Sequence, residues 1–230
     1  MAVDRYVRCN GLRSMPTLPL KFDGAGLVPA ILQDYVTGEI RMFAFASDAA
    51  VRSTLESGRA TFWSRSRGEL WQKGRASGYE TPIVRVLADC DGDCVVYSSD
   101  PLGPSCFSGA RSCFFQAFED GQLRYASEQP QTVLASLEAS VAAEATNRPE
   151  RASVPPGSNP EAPVAAARMV EKVGTLAKAL ETESNDRVVS EAADLIYRVV
   201  AALRSRSITL RQVLAEVARK RGFGVARPPT

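Results

Sequence analysis

The chain contains no histidine. This removes the commonest general base and the commonest metal ligand, so any chemistry must run on Asp, Glu, Cys, Lys, Arg and Tyr. No apolar run approaches the ~18 residues that a membrane span needs. Met1 to Pro19 carries two arginines before Cys9 but no apolar stretch of the kind a secretory signal requires. The expectation is a cytoplasmic protein with no membrane partner. A strong charge of either sign is also missing. The formal net charge is +2, which offers no field to recruit nucleic acid. Five cysteines, an odd number in a chain without an export signal, argue against a disulfide framework. The remainder is ordinary for a protein with a real core: 45% apolar and 23% charged residues. A length of 230 residues allows one large domain or two modest ones.

The pattern along the chain favours two domains, giving an α+β protein: a mostly-β N-terminal domain and then an all-α helical bundle. Residues 1–20 read as a lead-in, 21–122 as the first domain and 123–230 as the second. Leu27 to Gln33 is an apolar run that ends at a turn, Asp34 to Gly38, and Ile40 to Phe45 completes a hairpin. Ser47 caps a helix carrying Val51 and Leu55 on one face, and Gly58 stops it. Further strands are expected at Thr61–Arg65, Ile83–Ala88, Asp93–Tyr97 and Cys113–Phe118. In the second domain Leu134, Leu137 and Val141 mark one helix face. A Pro-rich loop or linker, 149–163, with five prolines follows. Val170, Val173, Ala177 and Leu180 line a second helix. Val188, Ala192, Leu195, Ile196, Val199 and Leu203 line a third. Thr209 with Gln212 forms a capping box for a fourth, which carries Val213, Leu214 and Val217. Four amphipathic helices make a small bundle.

Three local patterns could carry chemistry. In Asp89-Cys90-Asp91-Gly92-Asp93, an extended strand would put the three aspartates on one face and Cys90 on the other. Three like charges on one face call for a hard cation such as Mg²⁺; the alternative is a solvated acidic turn. Cys106 and Cys113 lie in a Gly- and Ser-rich region, and with Cys90 they would make a three-thiolate, catalytic-type Zn²⁺ site. Cysteine is also a common buried apolar residue, which is the reading kept for Cys9 and Cys94. The segment Trp63-Ser64-Arg65-Ser66-Arg67, with Trp71 and Lys73 following, could grip a phosphate and stack on a base. Its alternative is an exposed edge strand of alternating charge.

In order and spacing, these patterns resemble the phosphoribosyl-AMP cyclohydrolase domain of histidine biosynthesis, from about Gly26 to Phe118. The resemblance implies a homodimer that binds Zn²⁺ through Cys90, Cys106 and Cys113, with zinc ligands from both subunits. It implies Mg²⁺ on Asp89, Asp91 and Asp93. The implied reaction opens the adenine ring of phosphoribosyl-AMP by attack of metal-activated water. The nucleotide would meet Trp63, Ser64, Arg65, Ser66, Arg67, Trp71 and Lys73. The helical half resembles the phosphoribosyl-ATP pyrophosphohydrolase domain through Glu171-Lys172-Val173-Gly174 and Glu191-Ala192-Ala193-Asp194.

The chain departs from both families. Where the cyclohydrolases usually have a histidine after the second cysteine, this chain has Phe107, which cannot transfer a proton. Gln72 replaces a second histidine. Lys73 is left as the candidate catalytic group. Where the pyrophosphohydrolases have three further carboxylates, this chain has Thr175, Leu176 and Ala179. Glu191 and Asp194 are a remnant of that magnesium site, three residues apart on one helix face. The expected function is a zinc-dependent histidine-biosynthesis hydrolase with a weakened or lost second activity. The alternative is a non-catalytic metal- or nucleotide-binding relative that acts through association.

Overall fold

The structure is a computed structural model and describes residues 19–125, 132–146 and 162–222. Nearly all of the expected lead-in and of the Pro-rich loop, with Cys9, lies outside the described residues. The chain separates into two compact units. The first comprises Met1–Gln131 with Ala218–Thr230, and the second spans Thr132–Val217.

The first unit is built on β1 (Leu27–Asp34), β2 (Ile40–Ser47), α1 (Asp48–Ser57), β3 (Thr61–Ser64), β4 (Glu69–Gln72), β5 (Ile83–Ala88) and β6 (Val95–Ser99). These strands form one sheet of order β4-β3-β2-β1-β6-β5. All neighbours pair antiparallel except β1 and β6, which run parallel with Ala30 opposite Val95 and Asp34 opposite Ser99. Alternation along β1 sends Val28, Ala30 and Leu32 to one face, where each is fully buried. α1 contributes Val51 and Leu55 to the same core, with Phe62, Val86, Val95 and Tyr97. Each such side chain contributes ~1.5–3 kcal/mol on leaving water. α1 begins and ends where local chemistry dictates. The Ser47 hydroxyl accepts from the Ala50 N–H at 3.2 Å, and Gly58 closes the helix in the left-handed region at φ 66°. The opposite sheet face is apolar yet only partly covered. There Ile31 pairs with Phe43 and Pro29 with Phe45, and Phe43 is 45% exposed.

Three strand expectations need correction. The expected strand Thr61–Arg65 is present as β3 but ends one residue sooner, as the first arm of a hairpin. β3 stops at Ser64, residues 65–68 turn back, and β4 follows. Gly68, at φ 66°, donates its N–H to the Ser64 carbonyl at 2.8 Å, so the turn closes before a longer strand can form. The expected strand Asp93–Tyr97 starts only at Val95, because Asp93 and Cys94 belong to the turn after β5. The expected strand Cys113–Phe118 is β7 (Gln116–Glu119), paired with β8 (Gln122–Tyr125). Asp120 and Gly121 between them both have positive φ, the conformation of a two-residue hairpin.

The second unit comprises α2 (Val133–Thr146), α3 (Ala162–Thr182), α4 (Asn185–Arg204) and most of α5 (Leu210–Arg221). The α+β arrangement is the one the sequence implied. The Thr209–Gln212 capping box forms, with the Thr209 N–H donating to Gln212 Oε1 at 2.8 Å and the Gln212 N–H to Thr209 Oγ1 at 3.2 Å. The helix faces differ in part from the expected ones. On α2, Ala135 and Val141 are buried while Leu134 is 37% exposed. On α3 the expected stripe points outward: Val170, Val173 and Leu180 are 72%, 52% and 67% exposed. Met169, Lys172, Leu176 and Ala179 take the inner face. α3 carries two apolar stripes, and among the described residues only one of them is covered. On α4 the expected face is broadly kept, except that Ile196 turns outward and Glu191 inward. Among the described residues, no helix is long and apolar enough to cross a membrane.

Candidate functional site

The loop after β6 brings two of the three proposed thiol ligands together. The Cys106 N–H donates to the Ala110 carbonyl at 3.1 Å, the Gly109 N–H to the Cys106 carbonyl at 3.1 Å, and the Ser105 N–H to the Arg111 carbonyl at 3.2 Å. This tight loop returns the chain to β2, where the Cys113 N–H donates to the Arg41 carbonyl at 2.9 Å. The Cys113 thiol points back to the Ser105 carbonyl at 4.0 Å, next to Cys106, and the two thiols perturb one another's acidity. Their acidities split accordingly. Desolvation raises Cys106, but it is outweighed by hydrogen bonds from Ser108, Cys113 and the Phe107 amide, so its pKa falls below the usual thiol value. Desolvation, together with the neighbouring Cys106, pushes Cys113 up to about 11.

Lys73 follows β4 and faces this pair. Burial lowers its pKa, Arg41 lowers it further, and Cys113 and Cys106 pull it back up. The fold therefore brings the candidate catalytic lysine and the thiols together from positions more than 30 residues apart. Phe107 sits at the tip of the loop with its ring wholly exposed.

Cys90 does not join them. It is exposed in the turn before β6, with its thiol 3.9 Å from Asp91 Oδ1. The Cys106–Cys113 loop leaves the other end of β6, whose five residues span about 13 Å. Among the described residues, the three thiols do not form a cluster within 4.8 Å.

The turn holding Cys90 does gather the three aspartates. Their carboxylate oxygens lie within 4.8 Å of one another. A turn achieves this, not the strand alternation expected from the sequence. Asp89 Oδ1 accepts the main-chain N–H groups of Gly92, Asp93 and Cys94 at 3.0, 3.0 and 3.1 Å. Those bonds, with the Asp93 side chain, outweigh desolvation and hold Asp89 below its ordinary carboxylate value. Asp93 moves the other way, raised by its hydrogen bond with Asp89 and by the charges of Asp91 and Asp89. This mutual repulsion suits a bound divalent cation, which would relieve it.

The basic segment is arranged differently from the expected alternating strand. Arg65 lies over the Phe45 ring, 4.1 Å from its centroid. Arg67 pairs with Glu69 at 3.1 Å and reaches Ser64 Oγ at 3.4 Å, and Ser64 and Ser66 hydroxyls are 3.5 Å apart. Trp71 stacks on Phe62 at 5.1 Å, so its ring is used in packing. Trp63, opposite Leu70 and Phe45, is half-buried. Arg65, Ser66 and Arg67 remain exposed on the turn.

A buried ion-pair network beneath the cysteine loop escapes sequence reading. Arg41 is 5% exposed and lies 4.0 Å from Asp34 Oδ2 and 3.8 Å from Glu39 Oε2, both carboxylates themselves buried. Arg111 also pairs with Glu39. The one available signal was a charged residue within the apolar run of β2.

In the helical unit, Glu191 and Asp194 come together, but with cations of the protein. Lys172 Nζ donates to Glu191 Oε2 at 3.2 Å and to Asp194 Oδ2 at 2.7 Å. Thr175 Oγ1 donates to the same Glu191 oxygen at 2.9 Å, and Arg187 Nη2 lies 2.6 Å from Oε1. Two acids and two bases are charge-balanced, and both Glu191 oxygens are engaged. In this arrangement the two acids proposed from the sequence as a remnant Mg²⁺ site meet protein cations. Hydrogen bonds from Thr175 and Lys172 hold Glu191 below its ordinary value, and Lys172 does the same for Asp194.

Over residues 42–115 the chain matches the phosphoribosyl-AMP cyclohydrolase family, and over residues 134–221 the phosphoribosyl-ATP pyrophosphohydrolase family. It is 34% identical over 190 residues to the histidine biosynthesis bifunctional protein HisIE of Thermus thermophilus, covering 83% of this chain and 86% of that protein. With the protein of the same name from Aquifex aeolicus it shares 35% over 213 residues, 88% of this chain and 98% of that one. The phosphoribosyl-AMP cyclohydrolase of Paracoccus denitrificans is 48% identical over 106 residues, 46% of this chain and 88% of that protein. Because both units match, in one order, across nearly the whole length of two-domain relatives, the chain belongs to the family of bifunctional histidine-biosynthesis proteins that join a phosphoribosyl-AMP cyclohydrolase to a phosphoribosyl-ATP pyrophosphohydrolase.

Proposed function

We propose that the first unit opens the adenine ring of phosphoribosyl-AMP with the aid of zinc, at a turnover reduced by Phe107, and that the helical unit has little or no pyrophosphohydrolase activity. The observation that carries this reading is the loop that brings Cys113 back beside Ser105 and Cys106, where the two thiols and Lys73 influence one another's acidity. Two thiols at one point, one of them already acidified, suit a thiophilic cation. Cys106, Cys113 and Cys90 of the partner subunit would hold the zinc. That division follows from Cys90 lying at the far end of β6 from the other two. It requires a homodimer, for which the partly exposed Ile31, Phe43 and Phe45 face and the outer stripe of α3 offer apolar surface. Zinc bound there supplies activation of water and polarisation of the reacting carbon.

The chain's own groups do the rest. Arg65 and Arg67 lie exposed on the β3–β4 turn, where they can meet the substrate's phosphates. Asp89, Asp91 and Asp93 would hold Mg²⁺. Lys73, with its acidity raised by burial, is placed to move a proton beside the thiols. Phe107 offers no proton at the position next to Cys106.

Turnover of phosphoribosyl-AMP and phosphoribosyl-ATP by the purified, zinc-loaded chain tests the reading. Slow ring opening with negligible pyrophosphate release is expected. A second reading, a non-catalytic relative acting through association, is favoured by the exposed Phe107 and by the charge-balanced Glu191 cluster. It becomes the conclusion if zinc binds and neither substrate turns over.

A further inference from the structure

Arg41 is a buried cation within β2, and several of its contacts lead to the cysteine loop. Its Nε donates to Ser105 Oγ at 3.3 Å, the residue immediately before Cys106. Its Nη2 donates to the Gly103 carbonyl at 2.9 Å, at the start of the loop. Its own carbonyl accepts the Cys113 N–H at 2.9 Å and lies 3.4 Å from the Ser112 hydroxyl. One residue of β2 thus holds the loop just before the first cysteine and at the second. The guanidinium is itself held. Asp34 and Glu39, 1% and 4% exposed, flank Nη1, and Arg111, from the loop, closes on Glu39. A planar guanidinium can serve a hydroxyl, a carbonyl and two carboxylates together; a lysine ammonium has neither the reach nor the fixed geometry.

We propose that Arg41 is the positioning residue of the thiol pair, fixing the loop 103–113 so that Cys106 and Cys113 are held beside one another. In its chemistry the inference rests on the zinc reading given above; in its geometry it does not. Both buried carboxylates need a compensating cation, so removal of the charge would threaten folding outright. Arg41→Lys keeps the charge and loses the fork. Ser105→Ala removes a single tether and leaves the ion pairs in place.

The test uses the full chain with three variants: Arg41→Lys, Ser105→Ala and, as a control for general destabilisation, Leu55→Ala in the core. Two quantities are read: zinc affinity by chelator competition, supported by the thiolate charge-transfer absorption of the cobalt-loaded protein, and hydrogen exchange of the loop amides in metal-free protein. Arg41→Lys is expected to weaken zinc binding about 10- to 100-fold, as loss of a group that orients metal ligands does. It should also speed exchange at Ser105, Cys106 and Cys113 without speeding it in β1 and β6. Ser105→Ala should do the same to a smaller extent. Leu55→Ala should lower the melting temperature and leave both readouts alone. The inference is overturned if Arg41→Lys shifts only the melting temperature, as the control does. Should the wild-type chain bind no zinc, the zinc reading fails by itself. Loop exchange then decides the role of Arg41 alone: selective acceleration supports it and none overturns it.

Discussion

Lys172 Nζ lies 2.7 Å from Asp194 Oδ2, tying α3 to α4 where the sequence suggests a metal. The same ammonium reaches Glu191, so the buried Glu191 and the exposed Asp194 both have a protein counter-charge. The expected result is Mg²⁺-dependent release of pyrophosphate from phosphoribosyl-ATP at background level. Efficient release would show that other acids, such as Glu171, Glu181 or Glu183, serve instead. The loss is not simply reversible either. Ala179 is 1% exposed, so Ala179→Glu buries a carboxylate at a cost of about several kcal/mol. A fall in the melting temperature on that single change checks it.

Phe107 offers a cleaner experiment. Its ring is wholly exposed, so replacing it should leave stability within about 0.5 kcal/mol. Phe107→His restores a group that can carry a proton beside Cys106, a contribution typically worth ~10²- to ~10⁴-fold in rate. The kcat for phosphoribosyl-AMP should rise by a large part of that factor while zinc content stays constant. An unchanged kcat would assign the proton to Lys73 or to an aspartate.

The thiols make a prediction about assembly. Zinc should bind at about one ion per chain, and Cys90→Ser, Cys106→Ser and Cys113→Ser should each abolish it. Because Cys90 lies beyond reach of the other two within one chain, mixing Cys90→Ser with Cys106→Ser subunits should restore intact sites. With random exchange in a dimer, roughly a quarter of the sites recover. No recovery, or sedimentation as a monomer at micromolar concentration, would rule out a site shared between subunits.

Asp89 and Asp91 should behave differently when changed. Asp89 Oδ1 accepts three main-chain N–H groups, so Asp89→Ala should loosen the turn and lower thermal stability as well as cation affinity. Asp91→Asn should lower affinity for Mn²⁺, a paramagnetic probe of the site, with little change in melting temperature. Equal effects on both quantities from the two variants would contradict this division of labour.

Much of the architecture follows from signals that span a few residues. Ser47 and Gly58 bound α1, and Thr209 with Gln212 opens α5. The β1–β2 hairpin follows from apolar runs on either side of a turn, because caps and turns satisfy their hydrogen bonds locally. Even a local signal could be missed: Asp120-Gly121 marks the β7–β8 hairpin. The choice between the two apolar stripes of α3 could not be read this way, since periodicity shows that a face is apolar but not which neighbour covers it. The site depends still more on tertiary structure. Arg41 meets Gly103 and Ser105 across 62 and 64 residues, and Lys172 meets Asp194 across 22. Residue identity and order were enough to single out the cysteines, the aspartates and Lys73. Only the folded chain separates Cys90 from the other two thiols and fills the acidic pair of α4 with protein cations, because a charged group's partner is whatever the fold brings within about 4 Å of it.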